Sequence, residues 1–128
     1  MRFRSYLEGD EAVLRFTPSP EYTGGVPGHV YGGLLASLLD CHGAAAASGF
    51  AHRARGREVG DGGEPLRFVT GTLTVVYRRP TPMGVELTVR GRLDSISGRK
   101  VVVALELSAE GEVCVTGEMV AIQIPPEL

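Results

Sequence analysis

The sequence lacks an excess of charge of either sign, and it has only two cysteines. Its 13 Lys and Arg residues and 15 Asp and Glu residues leave a formal net charge of −2. Nucleic acids and acidic membranes attract strongly basic surfaces, so we expect neither as a partner. Cys41 and Cys114 form no Cys-x-x-Cys pair and lie in apolar runs, which predicts two buried free thiols in a reducing cytoplasm.

Targeting and membrane signals are also missing. The first ten residues, MRFRSYLEGD, are charged and lack the apolar core of a signal peptide. The longest apolar run, residues 32–47, contains Asp40 and His42 and is rich in glycine and alanine, which makes it a poor membrane span. These features predict a cytoplasmic protein.

Motifs for metal, phosphate and serine chemistry are absent as well. Cys41, His42 and Cys114 do not have the spacing of zinc ligands. The glycine-rich stretch 24–28 is not followed by the Gly-Lys-Ser/Thr of a phosphate loop. No serine lies in a nucleophile elbow. We therefore expect no metal and no separate cofactor.

What the sequence does contain is a clear order of elements for one α+β domain over residues 1–128. One helix is expected at 32–48, ended by Gly49 and followed by a polar loop at 50–64. Alternation with a period of two predicts strands at 2–8, 11–17, 67–79, 84–94, 100–108 and 112–124. Turns are expected at 9–10, 80–84, 95–98 and 110–111, and a bulge near Gly117.

This order predicts an antiparallel sheet with one apolar face covered by the helix. The helix is apolar on nearly every side, so we expect it to be buried on every side by a sheet that curls round it. Within 67–79, strict alternation places Val69 and Leu73 on one face and Thr70 on the other.

The helix begins with Gly32 and Gly33, which would each cost about 1 kcal/mol relative to alanine inside a helix. At the first turn, glycine lets a ligand oxygen approach backbone N–H groups that have no helical partner. Such a start can hold an anion or an oxyanion. The alternative is that the glycines only allow a neighbouring segment to pack closely.

Asp40 lies among leucines, where an unpaired carboxylate would cost several kcal/mol. Its neighbours at three and four residues are Ser37, Ala36, Gly43 and Ala44, all small, which leaves room for another chain or a ligand. The carboxylate is either a structural hydrogen-bonding group at an interface or a general base or nucleophile.

Gly32 and Asp40 are eight residues apart, so they lie roughly 12 Å apart along one helix. One carbonyl group cannot contact both residues within one chain. If both serve one reaction, Gly32 of one helix must meet Asp40 of another, and two antiparallel helices across a two-fold axis would form two identical sites. The spacing therefore predicts a homodimer with shared active sites.

Residues 22–124 resemble the hotdog-fold acyl-CoA thioesterases, in particular the PaaI-like branch. Tyr31-Gly32-Gly33 stands where the family has His-Gly-Gly, and Asp40 falls at the family's acid. The segment TGTLTVVYRRP, residues 70–80, is similar to the family's next strand and its Tyr-x-x-Pro, with Thr70 at the Ser/Thr position. The stretches GVELTVRGRL and SGRKVVVALEL are similar to its later strands.

The resemblance implies a hotdog fold, in which an antiparallel sheet wraps round one long helix, and a dimer or dimer of dimers that hydrolyses an acyl-CoA. The Gly32 N–H would polarise the thioester carbonyl. Asp40 of the partner subunit would attack that carbonyl or activate water, and Thr70 would help to hold the water or the acid. Two positions depart from the family, because Tyr31 replaces its His and Gly25 replaces its Asn.

Further substrate-binding candidates flank these residues. Tyr31 has a hydroxyl that can donate a hydrogen bond, and Gly33 follows the first glycine. His29 precedes the helix in a loop expected to line the acyl entrance. His42 points about 200° away from Asp40 and is expected in the core or an interface, whereas His52 is expected in solvent.

Four basic residues, Arg78, Arg79, Arg99 and Lys100, lie near two turns. They are either solvated strand ends or, as in related enzymes, a grip on the phosphates of coenzyme A, with Arg99 as the candidate for substrate binding. Two other functions remain open beside hydrolysis. One is a non-catalytic acyl-CoA-binding protein, and the other is dehydration of 3-hydroxyacyl thioesters, whose motif we do not find.

Overall fold

A computed structural model describes residues 5–22 and 27–125 of the chain. Gly25, which stands at the position of the family's Asn, lies outside the described residues. The described elements are β1 (Ser5–Glu8), β2 (Glu11–Phe16), a 3-10 turn (Pro20–Tyr22), α1 (Gly32–Ala54), β3 (Phe68–Tyr77), β4 (Leu87–Ser97), β5 (Lys100–Ala109) and β6 (Glu112–Gln123).

The six strands form one antiparallel sheet in the order β1-β2-β4-β5-β6-β3. Helix α1 packs against all six strands, and the core lies between its leucines and the apolar face of the sheet. The predicted α+β hotdog fold is therefore confirmed. The turns at Gly9-Asp10 and Glu110-Gly111 are also where the sequence predicts them, and both central residues of the second turn have positive φ, as the commonest two-residue hairpin turns require.

The prediction that Gly49 ends the helix is wrong, because α1 continues to Ala54. Gly49 is buried inside the helix, where an added Cβ would lie 3.4 Å from the Leu7 side chain. Phe50 and His52 extend the buried face by another turn. An alanine at this position would make an ordinary van der Waals contact with Leu7, so the packing between the helix and β1 does not require glycine. Burial of the residues that follow compensates for the low helix propensity of glycine.

The helix is not buried on every side. A stripe of small residues remains exposed or half-exposed along it, comprising Gly33, Ala36, Ser37, Cys41, Ala44, Ala45 and Ser48 together with Asp40. The sheet curls round the leucine side of the helix and leaves this stripe open. Cys41 is therefore exposed, contrary to the prediction, whereas Cys114 is buried as predicted.

The helix is long and apolar enough to cross a membrane by length and composition alone, with a mean hydropathy of 1.2 in its most apolar window. In the structure, 61% of that window is buried inside the protein, as in the core helix of a globular domain.

The β-bulges lie at positions other than the one expected near Gly117. Register shifts insert Gly71 in β3, Asp94 in β4 and Cys114 in β6. The bulge at Asp94 lets β4 continue to Ser97, so the turn expected at 95–98 is confined to Gly98-Arg99. Gly117 is not a bulge. An added Cβ there would lie 2.5 Å from the Thr74 carbonyl oxygen, so glycine is required by a close backbone approach.

The bulge at Gly71 changes which residues of β3 face the helix. Thr70 pairs with Ala121, and Leu73 pairs with Met119, both of which are fully buried against the helix. Directly opposed residues point to the same face of a sheet, so Thr70 shares the helix-facing side with Leu73. Strict alternation predicted the reverse, with Val69 facing the helix beside Leu73 and Thr70 facing away from it, so this prediction is wrong. Val69 is 47% exposed instead.

Candidate active site

The start of helix α1 lies at the surface and carries backbone N–H groups that have no partner within the helix. Tyr31 is the N-cap residue, with an extended backbone (φ −73°, ψ 148°), and its carbonyl oxygen accepts hydrogen bonds from the N–H groups of Leu34 (3.2 Å) and Leu35 (3.5 Å). The N–H groups of Gly32 and Gly33 precede these donors, so they have no acceptor within the helix. Both glycines are exposed, and the helix dipole places partial positive charge at this point.

Two tyrosine side chains lie close to the two glycines, and the Tyr31 ring leaves the least room at Gly33. An added Cβ on Gly33 would overlap the Tyr31 ring, and an added Cβ on Gly32 would lie 3.3 Å from the Tyr77 hydroxyl oxygen. Close packing of neighbouring segments is thus one reason for the two glycines, as one of our two interpretations predicted. It does not remove the other interpretation, because both glycines remain exposed.

Tyr77 is a site residue that the sequence reasoning did not select. It lies at the end of β3, and its hydroxyl donates a 2.8 Å hydrogen bond to the carbonyl oxygen of Gly32. This bond joins the first residue of the helix to the sheet. The signal in the sequence that could have found it is the Tyr-x-x-Pro match at Tyr77–Pro80.

Asp40 is held by Thr70. The Thr70 hydroxyl donates a 2.6 Å hydrogen bond to Asp40 Oδ1, and the bulge at Gly71 is what turns Thr70 toward the helix. Asp40 is half-buried on the stripe of small residues, and none of the ion pairs among the described residues involves it. Burial, and secondarily the negative charge of Asp40, raises the pKa of the neighbouring Cys41 thiol.

The two halves of the predicted site are not together in one chain. Gly32 and Asp40 lie on one continuous helix, which separates them by roughly 12 Å along its axis. Gly32 is tied to the end of β3 through Tyr77, whereas Asp40 is tied to its beginning through Thr70. The described chain therefore contains a donor site and an acid site at separate points on one exposed stripe.

His29 contacts neither half. Its Nδ1 lies 3.1 Å from the Pro27 carbonyl oxygen, and its backbone forms an isolated β-bridge with Pro82. The bridge is reinforced by a 2.9 Å bond from the Val30 N–H to the Thr81 carbonyl. These contacts fix the loop that leads into the helix two residues before Tyr31.

The four basic residues do not form one cluster. Arg78 and Arg79 bond through their N–H groups to the Cys114 carbonyl, whereas the Arg99 carbonyl accepts from the Gln123 N–H. Cys114 and Gln123 are nine residues apart on β6, which corresponds to roughly 30 Å. Arg99 is exposed at the end of the sheet nearer to Thr70, and Arg79 forms an ion pair with Glu112 at 2.6 Å.

Two histidines lie in the core rather than near Asp40. His42 is fully buried as predicted, and its Nε2 lies 2.8 Å from the Ala12 carbonyl oxygen. Burial lowers the pKa of His42, and its hydrogen bond to Ala12 opposes this only partly. The prediction of a solvated His52 is wrong. It is 2% exposed, and its Nδ1 bonds to the Ser48 carbonyl at 2.7 Å, because the helix extends past Gly49.

Comparison with known proteins gives a consistent assignment. A sequence model of the thioesterase superfamily matches residues 27–116, which include Gly32, Asp40 and Thr70. The chain therefore belongs to the thioesterase superfamily, as its resemblance to hotdog-fold thioesterases predicted.

Individual relatives agree with this assignment. A thioesterase superfamily protein from Shewanella loihica PV-4 is 42% identical, with a TM-score of 0.78 over 96% of this chain and 91% of that one. The PaaI protein of E. coli, from a phenylacetic acid degradation operon, is 19% identical and shares the fold, with a TM-score of 0.76 over 96% of this chain and 80% of that one. Acyl-coenzyme A thioesterase THEM4 of Xenopus laevis is 29% identical over 88% of this chain. The chain spans 44% of the length of that curated relative.

Proposed function

We propose that this protein hydrolyses acyl-CoA thioesters at sites formed between two copies of the chain. Membership of the thioesterase superfamily supports the reaction class, and the name of the Xenopus relative supports coenzyme A thioesters as substrates. The observation that carries the proposal is the 2.6 Å hydrogen bond from Thr70 to Asp40. It keeps a half-buried carboxylate fixed on an otherwise small and open helix face.

In the proposed reaction, the Gly32 N–H donates to the thioester carbonyl oxygen and stabilises the negative charge that develops there. Asp40 of the second copy attacks the carbonyl carbon or takes a proton from the water that does so. The carbon–sulfur bond breaks, coenzyme A leaves as the thiol, and water supplies the oxygen of the carboxylic acid. Thr70 holds the Asp40 carboxylate in position.

The remaining candidates have supporting roles. Tyr31 and Gly33 line the helix start beside the carbonyl, and His29 belongs to the loop that leads to it. Arg99, exposed near the Thr70 end of the sheet, binds a phosphate of coenzyme A. The bond from Tyr77 to the Gly32 carbonyl positions the first turn of the helix.

Two surfaces of the chain support the dimer. The first is the stripe of small residues around Asp40, which lets another helix approach closely. The second is β3, a ten-residue edge strand whose sequence, FVTGTLTVVY, has neither charge nor proline. Edge strands that remain unpaired in water usually carry charged residues or proline, which prevent them from pairing with another strand. Both surfaces lie on the same side of the fold, because Thr70 of β3 contacts Asp40 of the helix.

Subunit mixing tests the proposal. Asp40→Asn removes the acid, and Gly32→Pro removes the N–H. Proline fits the first helical position, and Tyr31 already has the extended backbone that must precede it. We expect each variant alone to release little thiol from acyl-CoA. A mixture should recover activity, because mixed dimers contain one intact site, or about a quarter of all sites for random pairing.

Gly32→Ala is the matched control, since it adds a Cβ beside Tyr77 but keeps the N–H. A site contained within one chain would give no recovery on mixing. An Asp40→Asn protein that hydrolyses acyl-CoA at the wild-type rate would refute the role of Asp40. Acyl-CoA binding without catalytic release of thiol by the wild-type protein would instead identify a non-catalytic binding protein.

A further inference from the structure

The loop that joins helix α1 to β3, residues 56–66, is attached to the rest of the protein mainly at its two ends. Residues 58–65 are all exposed, so the middle of the loop buries little apolar surface. Below it lies a cavity of about 740 Å³, lined by Val59 of the loop and by Leu7 and Ala12 of β1 and β2. A segment with so few buried contacts can open locally while the rest of the protein stays folded.

The loop holds its own shape through internal contacts. Arg57 forms a two-bond ion pair with Asp61 at 3.0 Å and donates to the Glu64 carbonyl oxygen at 2.8 Å. The Asp61 carboxylate also accepts a 2.9 Å hydrogen bond from the Gly63 N–H. Because these bonds begin and end within the loop, it can leave the helix as one unit without breaking them.

His52 of the helix contacts both ends of this loop. Its carbonyl oxygen accepts from the Arg57 N–H at 2.8 Å, near the start of the loop. At the other end, the Leu66 N–H donates to His52 Nε2 at 3.5 Å, and Ser48 Oγ donates to the Leu66 carbonyl oxygen at 3.0 Å. Leu66 is half-buried against the core, so these bonds fix the point at which the loop meets the helix.

The hydrogen bonds of the His52 ring require its neutral form. Nδ1 lies 2.7 Å from the Ser48 carbonyl oxygen, which can only accept, so Nδ1 carries the proton. Nε2 accepts from the Leu66 N–H, so it must keep its lone pair. A second proton, on Nε2, would place two N–H groups against each other at a residue that is 2% exposed. The imidazolium form is therefore incompatible with the attached loop.

No neighbouring charge compensates for such a proton. In the part of the chain that the structure describes, the bonds of the His52 ring all go to uncharged groups. Strand β3, which follows the loop, has no charged residue, and Gln123 of β6, the residue that Arg55 contacts, is neutral. The charged side chains of the adjoining helix end and loop are exposed or half-buried: Arg53, Arg55, Arg57, Glu58, Asp61, Glu64 and Arg67. Water screens these charges, so opening of the loop is what relieves protonation.

We propose that protonation of His52 releases the loop 56–66 from the helix, so that this loop is a pH-sensitive lid over the cavity. At neutral pH the ring holds Leu66, and Val59 stays at the cavity wall. In mild acid the imidazolium repels the Leu66 N–H, the loop leaves the helix, and the cavity opens to solvent. The sheet stays folded, because its paired residues lie outside the loop. This inference does not depend on the proposed hydrolysis at Asp40.

Amide hydrogen exchange at Leu66 tests the proposal, with each rate corrected for the intrinsic effect of pH. For a histidine that becomes charged only after the loop opens, the open population rises about tenfold between about pH 7.5 and about pH 5.5. We expect this increase in the wild-type protein. His52→Gln offers an acceptor for the Leu66 N–H but does not titrate, so the increase should disappear. Ser48→Ala is the matched control, because it removes the other anchor of Leu66 and should speed exchange at both pH values without changing their ratio.

His42→Gln separates opening of the loop from unfolding of the whole chain. The buried His42 bonds to Ala12 rather than to the loop, so its replacement should leave the increase at Leu66 intact. An increase that is lost in His42→Gln and retained in His52→Gln would overturn the proposal. So would an equal corrected rate for Leu66 at both pH values in the wild-type protein.

A second amide keeps the test decisive if His52→Gln does not fold. Val103 lies fully buried in β5, between two paired strands, so its exchange reports global unfolding. In the His42→Gln protein, we expect acid to accelerate exchange at Leu66 and to leave Val103 behind. Equal acceleration of the two amides would show that the loop does not open separately, which contradicts its role as a lid.

Discussion

The Thr70 hydroxyl lies 2.6 Å from Asp40 Oδ1, and this bond joins the edge strand β3 to the middle of the central helix. A hydrogen bond to a carboxylate contributes about 1.5–3 kcal/mol, although exposure of Thr70 favours the lower end. We expect Thr70→Val to lower kcat about tenfold, because the carboxylate loses its fixed orientation. A thiol-release assay with an acyl-CoA measures this.

Thr70→Ser is the control for that experiment, because it keeps the hydroxyl and removes only a methyl group. Its rate should remain within a few-fold of wild type. A serine variant as slow as the valine variant would show that loss of the hydroxyl alone does not explain the effect, and a valine variant with the wild-type rate would exclude a role for the hydroxyl.

Tyr77→Phe should weaken the start of the helix without altering the acid. The lost bond joins two neutral groups, so we expect a decrease of about 1 kcal/mol in the free energy of unfolding. We also expect a lower kcat with a smaller effect on KM, because the Gly32 N–H acts on charge that develops in the transition state. Denaturant unfolding and steady-state kinetics measure the two effects. Val76→Ala, at the adjacent exposed residue, should leave kcat unchanged. A Tyr77→Phe protein with wild-type kcat would exclude the positioning role.

Protonation of His42 should make the protein less stable in mild acid. Burial holds the pKa of His42 below its ordinary value of 6.5, so below that pH the unfolded chain takes up a proton that the folded chain resists. The stability is therefore present above the unfolded pKa and is lost as the pH falls. Denaturant unfolding at about pH 7.5 and about pH 5.5 should show the loss.

His42→Gln keeps a donor for the Ala12 carbonyl and does not titrate, so it should remove most of this slope. His29→Gln, at a position that is not in the core, should retain the slope. Glu11 adds acid sensitivity at lower pH, because hydrogen bonding to Arg92, with Arg90 nearby, lowers its pKa from 4.5. An unchanged slope in the His42→Gln protein would exclude His42 as its source.

Thr81→Val should stabilise the fold. Thr81 is 1% exposed, and its Oγ1 is the one buried side-chain oxygen or nitrogen in the described ranges, 5–22 and 27–125, that lacks a hydrogen-bond partner. Replacing an unsatisfied buried hydroxyl by a methyl group should raise the free energy of unfolding by about 1 kcal/mol. Thr116→Val, which removes the acceptor of a 3.1 Å bond from Arg78, should give no such gain. A destabilised Thr81→Val protein would contradict this expectation.

The fold could be predicted because its local signals agree with its final arrangement. Four long segments alternate with a period of two, their turns carry glycine, and one apolar helix is available to cover the sheet. The predictions that were wrong depended on how distant segments of the chain pack together. Gly49 is a typical helix end by residue type, yet burial of Phe50 and His52 against the rest of the protein continues the helix past it. Cys41 lies in an apolar run, and only the placement of the sheet leaves it exposed.

The candidate site could be predicted in its residues but not in its full geometry. The spacing of Gly32 and Asp40 on one helix already excluded a shared carbonyl within the chain. Thr70 was selected by resemblance, although alternation placed it on the wrong face. Tyr77 was missed because its partner is a backbone carbonyl 45 residues away, a contact that no local pattern reports.

The extra residue at Gly71 has no side chain, yet it decides which neighbours point inward. Deleting it would leave Thr70 directly before Thr72, and their present partners, Ala121 and Val120, would then pair with them without interruption, so Thr70 would still face the helix. The opposite happens if Gly71 is kept and pairs regularly with Ala121, because this one-residue slip of the first part of β3 turns the Thr70 hydroxyl to water and Val69 toward the helix. Such a slip would silence a member of this superfamily while a position-by-position inventory of its active-site residues still called it intact.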